Sequence, residues 1–392
     1  MKLSTVLRAG LPALVLFAPA ALGIDIREKR ITCESDRNHL NPQWSIDRAP
    51  QCDTRGDRIL YEVREVNSVG KQILRLYATT KVGKDTSPGC PVGFTDPVAI
   101  SEERSDTSRA QWSPVSGDTI VAQKKVSGRW QIVKIVIGVG EQILTTERSH
   151  HVNPRWSQDG RFIVFEKKTA HEPIKLGIVC ANGCAEFAVE TPNDGADRQF
   201  PSFHWSTSGR PADGPYRIVY EVARGTASDI GTFEFSELAA LRGSGAETLL
   251  TSDGEPDRFP QYVDDFFLWQ RFDLAIARWQ VVDRAASLAT PIRILTADFE
   301  SGDAEADHLF PRVALNNPQK VIYVKSLPPI GTGGQAIFRL LRPNTDEVAR
   351  IVERRALDSD AGVPQWAPNG DNIVFQKRVD GRSQIFILDT VK

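Results

Sequence analysis

One short stretch of this sequence recurs from one end of the chain to the other. Its clearest copy runs from Asn153 to Phe165 and reads NPRWSQDGRFIVF. A proline favours an extended start, an aromatic residue begins a strand, an Asp-Gly pair turns the chain, and apolar residues form the returning strand. The stretch therefore predicts a β-hairpin, and its repetition predicts a fold built from many similar small sheets.

Seven copies of the hairpin align on a proline, or on an alanine in its place, and on the aromatic or apolar residue that follows. The fourth copy carries two extra residues before its tryptophan, and the fifth and sixth copies lack the tryptophan. The seven anchors are Pro42-Gln43-Trp44, Ala110-Gln111-Trp112, Pro154-Arg155-Trp156, Pro201 with Trp205, Pro260-Gln261-Tyr262, Pro311-Arg312-Val313 and Pro364-Gln365-Trp366.

Each copy has room for four strands, because two further apolar strands follow the hairpin start and a fourth precedes the next anchor. A spacing of about 45 to 70 residues is typical of a propeller blade. The last copy stops after its third strand, whereas Ile24 to Cys33 offers a spare strand before the first anchor. We predict an all-β, seven-bladed β-propeller of four-stranded antiparallel blades, closed by the N-terminal strand. Six blades are the alternative, and Phe235 to Leu241 is predicted as a short helical insertion.

The first 23 residues have the pattern of a secretory signal peptide. Lys2 and Arg8 precede an apolar run from Leu11 to Leu22, and small residues stand at the expected cleavage site. The run is short for a membrane span. We expect the mature propeller to cover residues 24–392 and to be periplasmic or secreted. A formal net charge of −2 does not fit a nucleic-acid-binding protein, which carries a basic excess.

Five cysteines fit an oxidising compartment. Cys180 and Cys184 flank Ala-Asn-Gly, a turn sequence, so we predict that they form a small disulfide loop. Cys52 and Cys90 lie in long loops of one repeat and are the next predicted pair, which leaves Cys33 over. Sequence alone fixes neither pairing, because a disulfide requires the two α-carbons within about 7 Å.

The Pro-x-Trp-Ser-x-Asp-Gly pattern resembles the repeat of TolB-type propellers, also called WD-repeat-like repeats. The copies at Pro154 and Pro364 carry the resemblance best, and it covers nearly the whole chain after the leader. It implies the fold and leaves the function open, because this scaffold occurs in binding proteins, peptidase domains and polysaccharide lyases. The chain differs from TolB itself, which has an α/β domain ahead of six blades.

In most copies, polar residues occupy the third and the fourth position before the anchor. The fourth residue before the anchor is an aspartate in four copies: Asp106, Asp197, Asp307 and Asp360. It is Asn38 in the first copy and His150 in the third, and in the fifth copy Asp257 lies one residue closer to the anchor. Structurally, these side chains would accept backbone N–H groups at the start of the inner strand. The third residue back is His39, His151, Arg198 or His308.

These four residues have two interpretations. They pack or are solvated within their loops, or they converge near the axial channel and bind an anionic ligand. Imidazole also binds zinc and other transition metals, so His151 and His308 with neighbouring aspartates are candidate ligands. Because separate blades hold the rings apart, we predict no metal and no cofactor.

The sequence contains no hydrolase elbow of the form Gly-x-Ser-x-Gly. Our leading hypothesis is an exported, non-catalytic, monomeric propeller that presents a loop face to an envelope protein or polysaccharide. The alternative is an enzyme that acts on a polysaccharide or lactone through a metal at the channel mouth. A sugar-binding module that stacks its ligand on tryptophan is a third possibility.

Overall fold

The computed structural model describes residues 26–32, 37–45, 58–80, 94–189, 191–209, 214–236, 246–287, 289–296, 306–327, 334–341, 348–350, 362–368 and 370–390. In these ranges the chain forms 28 strands and no helix. The strands make seven sheets of four strands each, and each sheet is one blade.

Within each blade the strands follow one another from the axis outward. The inner strands are β2 (Asn38–Trp44), β6 (Thr107–Trp112), β10 (His150–Trp156), β14 (Asp197–Phe203), β18 (Asp257–Val263), β22 (Asp307–Ala314) and β26 (Gly362–Trp366). The second strands are β3 (Arg58–Val66), β7 (Thr119–Val126), β11 (Phe162–Lys168), β15 (Tyr216–Arg224), β19 (Phe266–Asp273), β23 (Asn317–Leu327) and β27 (Asn372–Val379).

The third and outer strands complete the blades. The third strands are β4 (Gln72–Thr80), β8 (Arg129–Val136), β12 (Lys175–Cys180), β16 (Ala227–Phe235), β20 (Arg278–Ala285), β24 (Gly334–Leu341) and β28 (Arg382–Thr390). The outer strands are β5 (Val98–Ala99), β9 (Gly140–Ile143), β13 (Phe187–Ala188), β17 (Ala246–Leu249), β21 (Arg293–Ile294), β25 (Val348–Arg350) and, for the seventh blade, β1 (Ile26–Arg30).

The N-terminal strand closes the ring, as the sequence predicts. Strand β1 pairs antiparallel with β28, from Ile26 opposite Thr390 to Arg30 opposite Phe386. Just beyond β1, the Thr32 hydroxyl donates to Gln384 Oε1 at 2.7 Å. The prediction of seven four-stranded blades is confirmed, and the six-bladed alternative is wrong.

The hydrophobic core lies between neighbouring blades. One buried cluster joins Trp44 and Ile59 of the first blade to Val374 and Ile385 of the seventh. Another joins Val164 and Ile178 of the third blade to Ile218 and Tyr220 of the fourth, among others. The alternating strands thus bury both faces of each sheet, which stabilises each blade only when its neighbours are in place.

The fourth anchor requires a correction. Phe203 lies opposite Ile218, the register in which Trp44 faces Ile59. The Pro-x-aromatic spacing is therefore intact, and Trp205 is not the anchor residue. Instead, Trp205 follows β14 and makes a parallel bridge to Val263 of the fifth blade.

The cysteine prediction is confirmed for one pair. Cys180 and Cys184 form a disulfide with their α-carbons 5.1 Å apart. The predicted pair Cys52 and Cys90, the leftover Cys33 and the leader at residues 1–23 lie outside the described residues. The predicted helical insertion is wrong at its first residue, since Phe235 ends β16, and residues 237–241 are not described. The described residues contain no helix long and apolar enough to cross a membrane.

Candidate functional site

The position four residues before the anchor joins adjacent blades. At this position a side-chain oxygen or ring nitrogen accepts a hydrogen bond from a backbone N–H of the preceding blade. The donor lies in the third strand of that blade or just before it. The bonds are Ser383 to Asn38 (3.1 Å), Leu74 to Asp106 (3.1 Å), Trp130 to His150 (3.3 Å), Ile174 to Asp197 (2.7 Å) and Trp279 to Asp307 (3.0 Å). Asp360 lies outside the described residues. The shared chemistry of this position is acceptance of a hydrogen bond, which is a structural role.

The position three residues before the anchor is buried. His39, His151, Arg198 and His308 are each at most 2% exposed. Asp257 also occupies this position, since it lies three residues before Pro260. It faces Arg271 of the second strand and is fully buried.

The three histidines have similar surroundings in their own blades. Each packs against an aromatic ring of the second strand, with centroid distances of 5.5 Å for His39 and Tyr61, 5.2 Å for His151 and Phe165, and 5.4 Å for His308 and Tyr323. Burial lowers the pKa of both His39 and His308 to about 4. These two imidazoles are therefore neutral at neutral pH.

Arg198 has carboxylate partners in the fourth blade. Its guanidinium contacts Asp194 at 2.7 Å and Glu247 at 2.9 Å. The structure does not bring Arg198 and the histidines together, and none of them lines the axial cavities described below. Ligand binding by these four residues stays a prediction.

One histidine lies in a group of potential metal ligands. Donor atoms of Glu147, His151 and Glu186 lie within 4.8 Å of one another. Lys167 already supplies a cation there, since its ammonium donates to Glu186 at 2.9 Å and to Glu147. Burial opposes the charge of Glu186, but His151 and Lys167 hold its pKa below the usual range. The other oxygen of Glu186 lies 3.1 Å from His151 Nε2, so the positive charge of Lys167 already balances the carboxylates of this group.

A different repeated position surrounds the axis. In each inner strand a β-bulge interrupts the register just before the anchor proline or alanine. The residue at this point is left-handed in all seven blades: Asn41, Arg109, Asn153, Phe200, Phe259, Phe310 and Val363, with φ between 50° and 54°. We call these seven residues the bulge ring.

Second-strand side chains hold the bulge ring in place across the blade seams. An amide or carboxylate of one blade accepts the N–H of the bulge residue in the next blade. The bonds are Asn41 to Gln376 (3.1 Å), Arg109 to Glu62 (2.7 Å), Asn153 to Gln123 (3.0 Å), Phe200 to Glu166 (2.9 Å) and Phe310 to Gln270 (2.9 Å). In these five blades the scaffold thus holds the left-handed backbone, whatever side chain it carries.

Six side chains of the bulge ring fall into two groups, and Val363 stands between them. Phe200, Phe259 and Phe310 form an aromatic arc, with ring centroids 4.7 Å and 5.2 Å apart. Asn41, Arg109 and Asn153, on the first three blades, form a polar arc. Asparagine tolerates the left-handed region, but a bulky residue there costs about 1–2 kcal/mol. The three phenylalanines keep part of their surface exposed and belong to none of the hydrophobic clusters of the described residues, so burial in a core does not account for this cost.

The two arcs line the upper chamber of an axial channel, a cavity of about 160 Å³ near the N-terminal ends of the inner strands. A lower chamber of about 150 Å³ continues toward the hairpin turns, where Trp44, Trp112, Trp156 and Trp205 line it. Arg155, Ser202 and Gln261 line both chambers. Each chamber has the size of a cavity that accommodates a benzene-sized group.

Three arginines face the upper chamber: Arg109, Arg155 and Arg312. The pKa of Arg155 is lowered to about 10, mainly by burial and then by the charges of Arg312 and Arg109, against a weaker opposing effect of Glu166. Burial also lowers the pKa of Arg312. Among the described residues, none of the three makes an ion pair with a carboxylate. The channel is therefore aromatic on one side and positively charged.

Sequence reasoning missed this site. The bulge ring begins in the same motif that predicts the fold, since Asn153 precedes Pro154, but its residues share no chemistry from copy to copy. The available signal was the run of three phenylalanines at one repeat position in three successive copies.

No family model matches this sequence, and no curated protein matches it. Solved structures do match. The oligogalacturonate lyase of Vibrio parahaemolyticus is 12% identical, with a TM-score of 0.62 over 93% of this chain and 94% of that chain. An acylaminoacyl peptidase of Pyrococcus horikoshii is 10% identical, with a TM-score of 0.55 over 91% of this chain and 52% of that chain.

These likenesses show the propeller fold. A TolB-type protein from Agrobacterium tumefaciens is also similar, at 14% identity and a TM-score of 0.48 over 76% of this chain and 95% of that chain. Propellers of TolB type are thus among the structural neighbours, together with a lyase and a peptidase. Identities of this size carry no information about which of these activities, if any, this chain shares.

Proposed function

We propose that this chain is an exported, non-catalytic binding propeller, and that its axial channel takes a ligand with an apolar face. The aromatic arc carries the proposal. Phe200, Phe259 and Phe310 occupy strained positions in a channel, where the fold itself would accept asparagine, as at Asn41 and Asn153. Strain of this kind is retained at sites where the side chain serves a function.

The chemistry of the channel supports binding over catalysis. The residues that line the two chambers include aromatic, amide and guanidinium side chains, and in the described part of the chain they include no histidine and no carboxylate. General acid–base catalysis and metal binding both draw mainly on those missing groups. The alternative, a lyase-like or lactone-acting enzyme, would need its catalytic groups elsewhere.

The leader and the Cys180–Cys184 disulfide support export. The ligand is then a component of the cell envelope or its surroundings, an envelope protein or a polysaccharide. In this proposal the rim of the upper chamber is the loop face that meets the partner, and the aromatic arc is the part that selects it.

The decisive experiment exchanges a strained phenylalanine for the residue that the fold tolerates. Phe259→Asn relieves backbone strain but removes two ring contacts, so its free energy of unfolding should stay within about 1 kcal/mol of the wild-type value, yet it should lose the components that the wild-type protein retains from a periplasmic extract. Ala277→Asn changes a left-handed residue in an exposed turn that lines neither chamber, and it should keep them. An unchanged profile for Phe259→Asn would contradict the proposal, and turnover of a defined polysaccharide would favour the enzyme.

A further inference from the structure

The residue between the anchor proline and its aromatic partner also repeats around the axis. It is an amide in four blades, at Gln43, Gln111, Gln261 and Gln365, and it is an arginine in two, at Arg155 and Arg312. Two of the glutamines join adjacent blades, because Gln43 donates to Ala110 O and Gln261 donates to Pro311 O. An amide therefore satisfies the structural needs of this position.

The two arginines do not perform this structural task. Within the described residues Arg155 makes a single long contact, 3.5 Å from its guanidinium to the carbonyl of Pro154, and this contact stays within its own strand. No hydrogen bond of the Arg312 side chain is present among the described residues. Each guanidinium offers five donors, so the described part of the protein leaves most of the donors at these two positions unused.

Nearby carboxylates are engaged with other groups. Glu166 accepts the side-chain amide of Asn153 at 2.7 Å and the backbone N–H of Phe200 at 2.9 Å. Its second oxygen lies 2.9 Å from the ammonium of Lys168. Glu62 likewise binds Asn41 and the backbone of Arg109.

Placing two like charges in one half-buried channel is unfavourable unless an anion joins them. Since four other blades manage with glutamine, the scaffold does not require these charges. A guanidinium pair matches the geometry of a carboxylate or of a tetrahedral oxyanion, because its planar fork binds two oxygens at once.

We propose that the ligand of the channel is anionic, and that its carboxylate, sulfate or phosphate group lies between Arg155 and Arg312. This inference rests on the proposed binding function and specifies its ligand. Because Arg155 lies where the two chambers meet and the aromatic arc lines only the upper chamber, the charged group lies deeper than the apolar face. Arg109 is the third cation of the channel and faces the part of the ligand nearest the rim.

The test uses inorganic sulfate as the probe and the full-length mature protein. Titration at constant ionic strength against chloride, followed by calorimetry, should show one saturable site in the wild type. Arg155→Gln and Arg312→Gln should each weaken sulfate binding at least tenfold, and the double variant should show no saturable binding. Arg129→Gln, on an exposed hairpin, should bind sulfate as the wild type does.

The glutamine variants should fold, since glutamine is the residue of four other blades at this position. Phosphate and acetate, titrated in the same way, distinguish a tetrahedral oxyanion from a carboxylate as the preferred group. Equal sulfate affinity in the wild type and in the double variant would overturn the inference, as would the absence of saturable binding of all three anions.

Failure of the proposed function would look different. Phe259→Asn should bind sulfate with the wild-type affinity while it loses the envelope ligand. If Phe259→Asn loses the envelope ligand but no anion binds the wild type, the binding function stands and the anionic ligand is wrong. If anions bind the wild type and Phe259→Asn keeps every envelope component, the proposed function fails.

Discussion

The inner strands contain two sets of repeated positions, and the two sets differ in what is repeated. Three residues before the anchor the side chains are buried. Four residues before it they are bonded across a blade seam, and there their chemistry is similar from blade to blade: Asn38, Asp106 and Asp197 all accept a backbone N–H. In the bulge ring the backbone is the same in all seven blades, but the side chains range from asparagine to phenylalanine.

This difference distinguishes positions that serve the scaffold of a repeat protein from positions that serve a site. A position that repeats its chemistry serves a contact that every blade needs. A position that repeats its backbone while its side chains vary is supported by the scaffold and is free to serve a ligand. Variants at the two sets of positions should therefore have opposite consequences for stability and binding.

The largest effect on stability is expected at Asp257. Its buried carboxylate accepts hydrogen bonds from Trp269 at 2.7 Å and from Arg271 at 2.7 and 2.8 Å. Asp257→Ala leaves the buried indole N–H without an acceptor and weakens the hold on the guanidinium, so the free energy of unfolding should fall by about 3 kcal/mol. Chemical denaturation measures the loss.

The control for Asp257 is its more exposed neighbour. Asp253 also contacts Arg271, at 2.7 Å, but lies near the surface, so Asp253→Ala should cost less than about 1 kcal/mol. If both variants lost the same stability, burial would not be what distinguishes this position. Neither variant should change binding in the channel while the protein is folded.

A pH effect of similar size is expected from His308. Its pKa is lowered to about 4 by burial, against about 6.5 in an unfolded chain. The unfolded state therefore binds a proton more readily, and stability is lost as the pH falls from 6.5 toward 4. Between pH 7.5 and pH 4.5 the loss should be about 2 to 3 kcal/mol for this group.

The measurement compares the wild type with His308→Gln, which does not titrate. Burial raises the pKa of Glu221 to about 7, so that group stabilises the folded state as the pH falls, but it does so in both proteins. The wild type should lose more stability than the variant over this range. Parallel pH profiles would mean that His308 does not stay neutral in the folded protein.

A smaller effect is expected at the seam between the fifth and sixth blades. Asp307 accepts the backbone N–H of Trp279 at 3.0 Å. Asp307→Ala should reduce the free energy of unfolding by about 1 kcal/mol, whereas Asp307→Asn keeps an acceptor and should retain most of it. A urea titration of both variants would test this, and equal losses would show that the hydrogen bond is not the cause.

The smallest effect is a gain. Ala277 is left-handed, with φ 53°, in an exposed turn, so Ala277→Asn should relieve strain and raise the free energy of unfolding by up to about 1 kcal/mol. Ala277 lines neither chamber, so ligand binding should not change. Phe259→Asn relieves the same kind of strain but should lose the ligand, and loss of ligand by both variants would show that the aromatic arc does not select it.

The fold was predictable because hairpin chemistry is local. The Asp159-Gly160 turn and the alternating strand Phe162 to Phe165 specify the same small structure in isolation as in the ring. Closure by the N-terminal strand followed from counting strands, since the seventh copy lacks one.

The candidate site was not predictable in the same way. Which side chains face the axis depends on the bulge, which turns one residue of each inner strand into the left-handed region and leaves no common residue type as a marker. The histidines drew attention because of their ligand chemistry, yet His39, His151 and His308 are buried beside aromatic rings. Burial at that depth depends on how neighbouring blades pack, which one repeat does not reveal.

The sheet of the seventh blade joins a strand that is synthesised early to the strand that is synthesised last. Arg30 donates to Gln384 across a sequence separation of 354, so the first strand to leave the ribosome has to wait for the last one. Individual hairpins can form early, but the circle is completed only after the whole polypeptide is available. Loss of β1 or of β28 would then act on all seven blades at once, because an open arc has a free edge on each side.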